Sequence, residues 1–380
     1  MSAPPPDRRS RRNRRNRADA APERRLPPGV AATAPPPRTG NGVKWLVVAA
    51  LLVVAFIVVV WSVRRSPGPA PAPAVTEAPI QPAGPGVVGL VVQPDDGRAP
   101  ILDEIDAAQR TIDLEVYLLS DSQVLAALER AHDRGVAVRV LLEQHPFGGA
   151  GTTNAVHDRL QKAGIDIRWS NPAFTFSHIK LFVFDDDAAA IMNLNLTASA
   201  FTRNREFAIV TTQPAAVRTA MAIFDADWTR GPEPNPDPLI VSPTNSRDTL
   251  LGLIGGARQR LDIYAEVMRD PEIMRAIEDA ARRGVQVRLI MSGQPTDDNA
   301  DERAELADAG VDVRLLNRLY VHAKMVMVDG RRAFVGSENF TATSLDQNRE
   351  VGIVVDDPAA LARIEKTFAA DFAAGKPQVG

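Results

Sequence analysis

From residue 88 onward, short runs of β-branched and aliphatic residues alternate with stretches whose apolar positions recur at helical spacing. Residues 99–110 and 121–134 are predicted helices, and each is followed by a run with strand character. The second helix stops at Gly135 and, in a later copy of the same pattern, at Gly284, since glycine tolerates the left-handed conformation that ends helices. The pattern repeats. Thr111-Ile-Asp-Leu-Glu-Val-Tyr117 resembles Arg260-Leu-Asp-Ile-Tyr-Ala-Glu266, and Gly135-Val-Ala-Val-Arg-Val-Leu-Leu142 resembles Gly284-Val-Gln-Val-Arg-Leu-Ile-Met291. Ala163-Gly-Ile-Asp-Ile-Arg168 returns as Ala309-Gly-Val-Asp-Val-Arg314. A period of this length is too long for a solenoid and implies two domain-sized copies, here 88–235 and 236–376. Alternating strands and helices predict an α/β layer structure with a mostly parallel sheet in each copy. The copies are expected to meet about a pseudo-twofold axis.

Ahead of the repeats the pattern changes twice. Residues 45–63 carry no charge, and at about 1.5 Å per residue the run rises roughly 28 Å, near the thickness of a bilayer's hydrocarbon core. Trp45 and Trp61 lie near its ends, where indoles favour the interface. A buried soluble helix rarely runs so far without a polar face, and a signal-peptide core is usually shorter. An uncleaved transmembrane helix is therefore expected. Residues 64–87 follow as a Pro-rich linker, with seven prolines between 66 and 87. Residues 1–44 show no apolar periodicity and hold nine prolines, which predicts a disordered tail.

Charge sharpens this division. The tail has ten arginines and Lys44 against Asp7, Asp19 and Glu23, a balance of +8. Residues 66–380 hold 31 basic and 44 acidic residues, a balance of −13. By the positive-inside rule the tail stays cytoplasmic and the repeats lie beyond the cell membrane, as a single-pass protein. The acidic balance disfavours nucleic acid as a partner. The chain has no cysteine, which excludes disulfides, thiolate metal sites and cysteine nucleophiles.

The chemistry-bearing residues come late in each copy. The first reads Ser177-His178-Ile-Lys180-Leu-Phe-Val-Phe-Asp185 and the second Val321-His322-Ala-Lys324-Met-Val-Met-Val-Asp329. Strand alternation puts each His and Lys on one face, an imidazole beside an ammonium. A lone strand histidine is more often structural. Here two of only five histidines and two of only six lysines fall in one register, 144 residues apart, in a chain with 38 arginines. Asn195 and Asn339 each lie 17 residues past their His, and Glu206 and Glu350 each lie 28 past, ending an Asn-Arg-Glu tripeptide.

This constellation resembles the phospholipase D superfamily, whose signature is His-x-Lys-x4-Asp with a later Gly-Ser-x-Asn and acidic residue. The resemblance spans residues 88–376 and implies two tandem α/β/α sandwich repeats of phospholipase D type. It implies that one of His178 and His322 attacks phosphorus to form a phosphohistidine while the other protonates the leaving alcohol. Lys180 and Lys324 would hold the phosphate oxygens with Asn195, Asn339 and Ser337. Glu206 and Glu350 would accept from an imidazole Nδ1, and Asp185 and Asp329 would support the motif loops. The resemblance calls for no metal and no cofactor, and one chain supplies both half-sites, so a monomer is expected to act. One departure stands out: Gly336-Ser337-Glu338-Asn339 fits the signature, whereas the first copy has Met192-Asn193-Leu194-Asn195. Met192 is expected to hinder close approach of the backbone to a phosphate.

Hydrolysis of membrane phospholipid headgroups is the reading ranked first, given the expected anchor. A cardiolipin-synthase-like phosphatidyltransferase, a nuclease of the same superfamily and an inactive binder of anionic lipid stand behind it.

Overall fold

The structure is a computed structural model that describes Gly86 and residues 88–147, 150–294 and 299–378. The expected tail 1–44, the membrane span 45–63 and, but for Gly86, the linker lie outside the described residues. Among the described residues no helix is long and apolar enough to cross a membrane.

The first half runs β1 (Val88–Gln93), α1 (Ala99–Ala107), β2 (Thr111–Val116), α2 (Ser122–Asp133), β3 (Ala137–Leu142), α3 (Ala150–Lys162), β4 (Asp166–Trp169), β5 (Lys180–Phe184), β6 (Ala188–Met192), β7 (Asn204–Thr211) and α4 (Pro214–Thr229). The second half repeats the order. It contains β8 (Leu239–Ser242), α5 (Ser246–Gly255), β9 (Arg260–Tyr264), α6 (Pro271–Arg282), β10 (Gln286–Ser292), α7 (Ala300–Asp308), β11 (Asp312–Leu316), β12 (Tyr320–Val321), β13 (Met325–Val328), β14 (Arg332–Gly336), α8 (Ala342–Asp346), β15 (Glu350–Val355), α9 (Pro358–Ala374) and β16 (Lys376–Pro377).

Local chemistry fixes these boundaries. Asp121 caps α2 by accepting from the Gln123 and Val124 amides, and Asp270 caps α6 the same way through Glu272 and Ile273. Gly135 and Gly284 follow these helices at φ 92° and 87°, conformations that resist a side chain.

Each half builds one sheet, and both sheets are mixed, not mostly parallel. The orders are β1-β7-β6-β5-β2-β3-β4, with β12 added against β7, and β16-β11-β10-β9-β13-β14-β15-β8. Only β2-β3-β4 and β9-β10-β11 pair in parallel within these orders. The motif strands enter antiparallel: β5 against β2 and β6, and β13 against β9 and β14. The reason is the length of the connections. Three residues join β5 to β6, and three join β13 to β14, too few for a crossover. Asp185, Asp186 and Asp329 take positive φ in these turns.

The strands are buried on both faces. In β5, Phe182 and Phe184 pack into the first half's own core, whereas Leu181 and Val183 enter a second cluster. That second cluster joins the halves: Leu181, Ile191 and Ile209 share it with Met325, Val335, Val351 and Ile353. Removing each such side chain from water is worth about 1.5–3 kcal/mol.

Candidate active site

His178 lies two residues before β5, and His322 directly follows β12. Ile179 and Ala323, the residues between each His and Lys, turn into the shared core. That leaves the ammonium groups on the other side. Both lysines are fully buried, and each Nζ donates to the carbonyl of its own histidine at 2.7 Å, Lys180 to His178 and Lys324 to His322.

The halves hold each other's histidines. The His178 amide donates to the Arg349 carbonyl at 2.8 Å beside a bridge between Ser177 and Arg349. The His322 amide donates to the Arg205 carbonyl at 3.2 Å, where β12 runs along β7. These backbone contacts bring the imidazoles to carboxylates of the opposite half. His178 Nδ1 hydrogen-bonds Glu350 Oε2 at 2.7 Å, whereas His322 Nδ1 lies 3.1 Å from Glu206 Oε1 without the geometry of a hydrogen bond. Each carboxylate is steadied by the asparagine two residues earlier, Asn348 to Glu350 at 3.0 Å and Asn204 to Glu206 at 2.7 Å. Ser344 Oγ also donates to Glu350. At His178 that carboxylate holds the proton on Nδ1 and leaves Nε2 for chemistry.

Burial and charge set the electrostatics. Burial pushes the His178 imidazole down to about 4; Glu350 resists this, and Lys180 and Lys324 add to it. Burial likewise brings Lys180 down to about 7, with Glu350 pulling up and Lys324 pushing down. For Glu350, burial favours the neutral acid, but His178 and Lys180 outweigh it and hold the carboxyl below its ordinary range.

Asn195 Oδ1 and Asn339 Oδ1 are buried without a partner in the protein. Ser337 and Asn193, which differ between the copies, occupy equivalent roles: Ser337 Oγ accepts from the Val351 amide at 3.0 Å, and Asn193 Oδ1 from the Phe207 amide at 2.6 Å. The Ser337 hydroxyl therefore braces a neighbouring strand. The expectation about Met192 is corrected by its environment, since it is fully buried in the first half's core. Glycine at 336 is demanded by packing: a Cβ there would sit 2.3 Å from Glu338 Oε2, 2.7 Å from Gly352 Cα and 2.7 Å from Phe334 Cζ. In the first copy Leu194 and Ala208 stand in place of Glu338 and Gly352.

Asp185 accepts from the Gln109, Arg110 and Thr111 amides, and Asp329 from those of Arg258, Gln259 and Arg260. Each thereby ties its hairpin turn to the start of a neighbouring strand. Among the described residues no group of three or more His, Asp or Glu is arranged to hold a metal ion.

Sequence reading missed several contributors. Arg205 and Arg349 are fully buried and cross the seam, Arg205 to Asp371 at 2.6 Å and Arg349 to Asp227 at 2.8 Å. The signal was present, because both the arginines and the aspartates recur at the 144-residue spacing. Glu266 was harder to find. Its Oε2 lies 2.6 Å from Lys324 Nζ and 3.5 Å from His322 Nε2, and its Oε1 accepts from Tyr320 Oη at 2.9 Å. The first copy has Tyr117 at this place, its ring 4.7 Å from that of His178 and 5.2 Å from Lys180 Nζ. Two imidazoles, each with a carboxylate beside Nδ1 and flanked by two buried ammonium groups, suit nucleophilic and acid–base work on an anionic phosphorus centre.

The family model described as cardiolipin synthase, PLD-like domain, matches residues 101–228 and 250–372. The cardiolipin synthase of Geobacillus thermodenitrificans (strain NG80-2) is 25% identical, over 73% of this chain and 64% of its own length. Cardiolipin synthase B of Salmonella typhi is 26% identical, over 71% of this chain and 76% of its own. The chain thus spans just under two thirds of the Geobacillus relative. In structure, phosphatidylserine synthase of Haemophilus influenzae Rd KW20 superposes with a TM-score of 0.64 at 14% identity, over 76% of this chain and 87% of that one, a likeness of fold.

Proposed function

Because this chain belongs to the cardiolipin synthase, PLD-like domain family, and so to the phospholipase D superfamily, we propose that it is a membrane-anchored phosphatidyltransferase. The observation that carries this is the doubled His–Lys pair with each Nδ1 facing a carboxylate of the other half. The names of the similar synthases favour transfer over the hydrolysis ranked first from sequence.

In the first step one histidine Nε2 attacks the phosphorus of a phosphatidylglycerol. The P–O bond to the glycerol headgroup breaks, and the other histidine gives that oxygen its proton. In the second step the same histidine removes the proton of an acceptor hydroxyl on another phosphatidylglycerol. The hydroxyl oxygen then displaces the phosphohistidine nitrogen. Lys180, Lys324, Asn195 and Asn339 would bind the phosphate oxygens, and Asp185 and Asp329 would hold the motif turns. The two halves, taken as 88–235 and 236–376, would be phospholipase D-type sandwich repeats related by a pseudo-twofold axis. A single chain would suffice for turnover. Residues 45–63 would anchor it, with the Arg-rich tail cytoplasmic and the repeats outside.

The test uses the purified full chain in phosphatidylglycerol vesicles. Cardiolipin and free glycerol should appear in equal amounts. Phosphatidic acid as the sole lipid product would instead establish hydrolysis, and cleavage of DNA with lipid untouched would establish a nuclease.

A further inference from the structure

The two half-sites share their His, Lys, Asn and Glu residues but differ beside the reacting nitrogen. His178 and His322 each have one carboxylate at Nδ1. Lys180 and Lys324 each bind the carbonyl of their own histidine. At the position where the first half puts the Tyr117 ring against His178, the second puts the Glu266 carboxylate. His322 therefore has carboxylates at both ring nitrogens, Glu206 near Nδ1 and Glu266 near Nε2. A carboxylate at 3.5 Å is at the outer edge of hydrogen-bonding distance, and it favours an N–H at Nε2 over a lone pair. His178 instead has the Tyr117 ring beside it, centroids 4.7 Å apart and the planes at 72°. The Glu266 carboxylate is itself secured by the Tyr320 hydroxyl and the Lys324 ammonium. Burial favours its neutral form, but His322 and Lys324 outweigh burial and keep it ionised.

We propose that Glu266 is a positioning residue that keeps an N–H at Nε2 of His322, so that His322 donates the proton to the leaving alcohol and His178 attacks phosphorus. This rests on the transferase reading above and divides its labour. The proton on His322 Nε2 passes to the headgroup oxygen as the P–O bond breaks, and Glu266 stays a carboxylate throughout. His322, now neutral, then takes the acceptor's proton in the second step. Glu266 thus matters most in the first step, and only when the leaving oxygen needs a proton.

That condition makes the proposal testable by leaving group. Full-length wild type, Glu266→Gln and Glu266→Asp would be assayed in mixed micelles on two donors, phosphatidylglycerol and phosphatidyl-p-nitrophenol. The nitrophenolate leaves without a proton. General acid catalysis typically contributes about 10²–10⁴-fold, so Glu266→Gln should lose on the order of 100-fold with phosphatidylglycerol. With the nitrophenyl ester it should lose less than about 3-fold, since no proton is called for at that step. Glu266→Asp, which keeps the charge, should recover part of the phosphatidylglycerol rate, and it supplies the comparison if the amide variant folds poorly. Equal losses on both donors would mean that Glu266 only anchors Lys324, and no loss on either would mean that it is idle; both outcomes overturn the proposal. His178→Asn serves as the control for the underlying reading. It should abolish release from both donors, and a wild type inert on both would remove the transferase reading and this assignment with it.

Discussion

Protonation of individual side chains sets when the site can work. As the proposed nucleophile His178 must be neutral, and burial holds its imidazole near 4. As the proposed phosphate ligand Lys180 must be charged, and it loses its proton near 7. With the attacking group needed deprotonated and the binding group needed protonated, kcat/KM should rise as pH passes upward through about 4 and fall as it passes through about 7. A steady-state profile from pH 3.5 to 9 checks this, and a flat response between 6 and 9 would contradict the role given to Lys180. The position of Met192 leads to a second expectation. Because its side chain fills the core, Met192→Gly should not speed turnover per folded molecule. It should cost about 2–5 kcal/mol of stability, visible as a lower Tm. At this scale the sequence was legible where a residue type is rare and recurs: two histidines and two lysines in one register announce themselves. Glu266 was hidden because its counterpart is a tyrosine, so comparing the copies offered no match. The sense of the Met192–Gly336 difference was hidden too, since only packing shows that Glu338 needs the space.

Among the elements, the helices and the parallel strands could be read from periodicity and caps. The antiparallel motif hairpins could not, because a strand buried on both faces gives the same apolar run whichever way it pairs. The turn residues Asp185-Asp186-Asp187 and Asp329-Gly330 were the local clue. The tip of β14 has its own pH signature. Glu338 is fully buried just beyond that strand, and burial, with Glu350 nearby, pushes its carboxyl up to about 8. The folded state therefore keeps a proton that the unfolded chain releases above its ordinary range near 4.5. Stability is fully present below that ordinary value and is lost as pH climbs toward 8. Glu338→Gln, neutral throughout, should remove this loss, so the Tm gap between variant and wild type should widen from pH 5 to pH 8. Each kcal/mol recovered amounts to roughly 2 °C for a unit of this size. A constant gap across that interval would mean that Glu338 does not titrate there.

The molecule as a whole is built from two interdependent halves that meet at one site. Besides the shared apolar cluster, Arg205 reaches Asp371 and Arg349 reaches Asp227 across the seam, all four buried. Removing one member of such a pair strands a buried charge and typically costs about 3–5 kcal/mol. Arg349→Met should therefore lower the denaturant midpoint sharply, and the double variant with Asp227→Leu should recover part of the loss. Purified apart, residues 1–235 and 236–380 should each be inactive, and mixing them should restore turnover; activity in either piece alone would refute the crossed site. The arrangement also governs when the site is completed. Glu350 lies 172 residues after His178 in the chain. A ribosome must add nearly half of the polypeptide after making the first histidine before it makes that histidine's partner. Until Glu350 is made, the first half-site has its histidine but lacks the carboxylate that holds the Nδ1 proton.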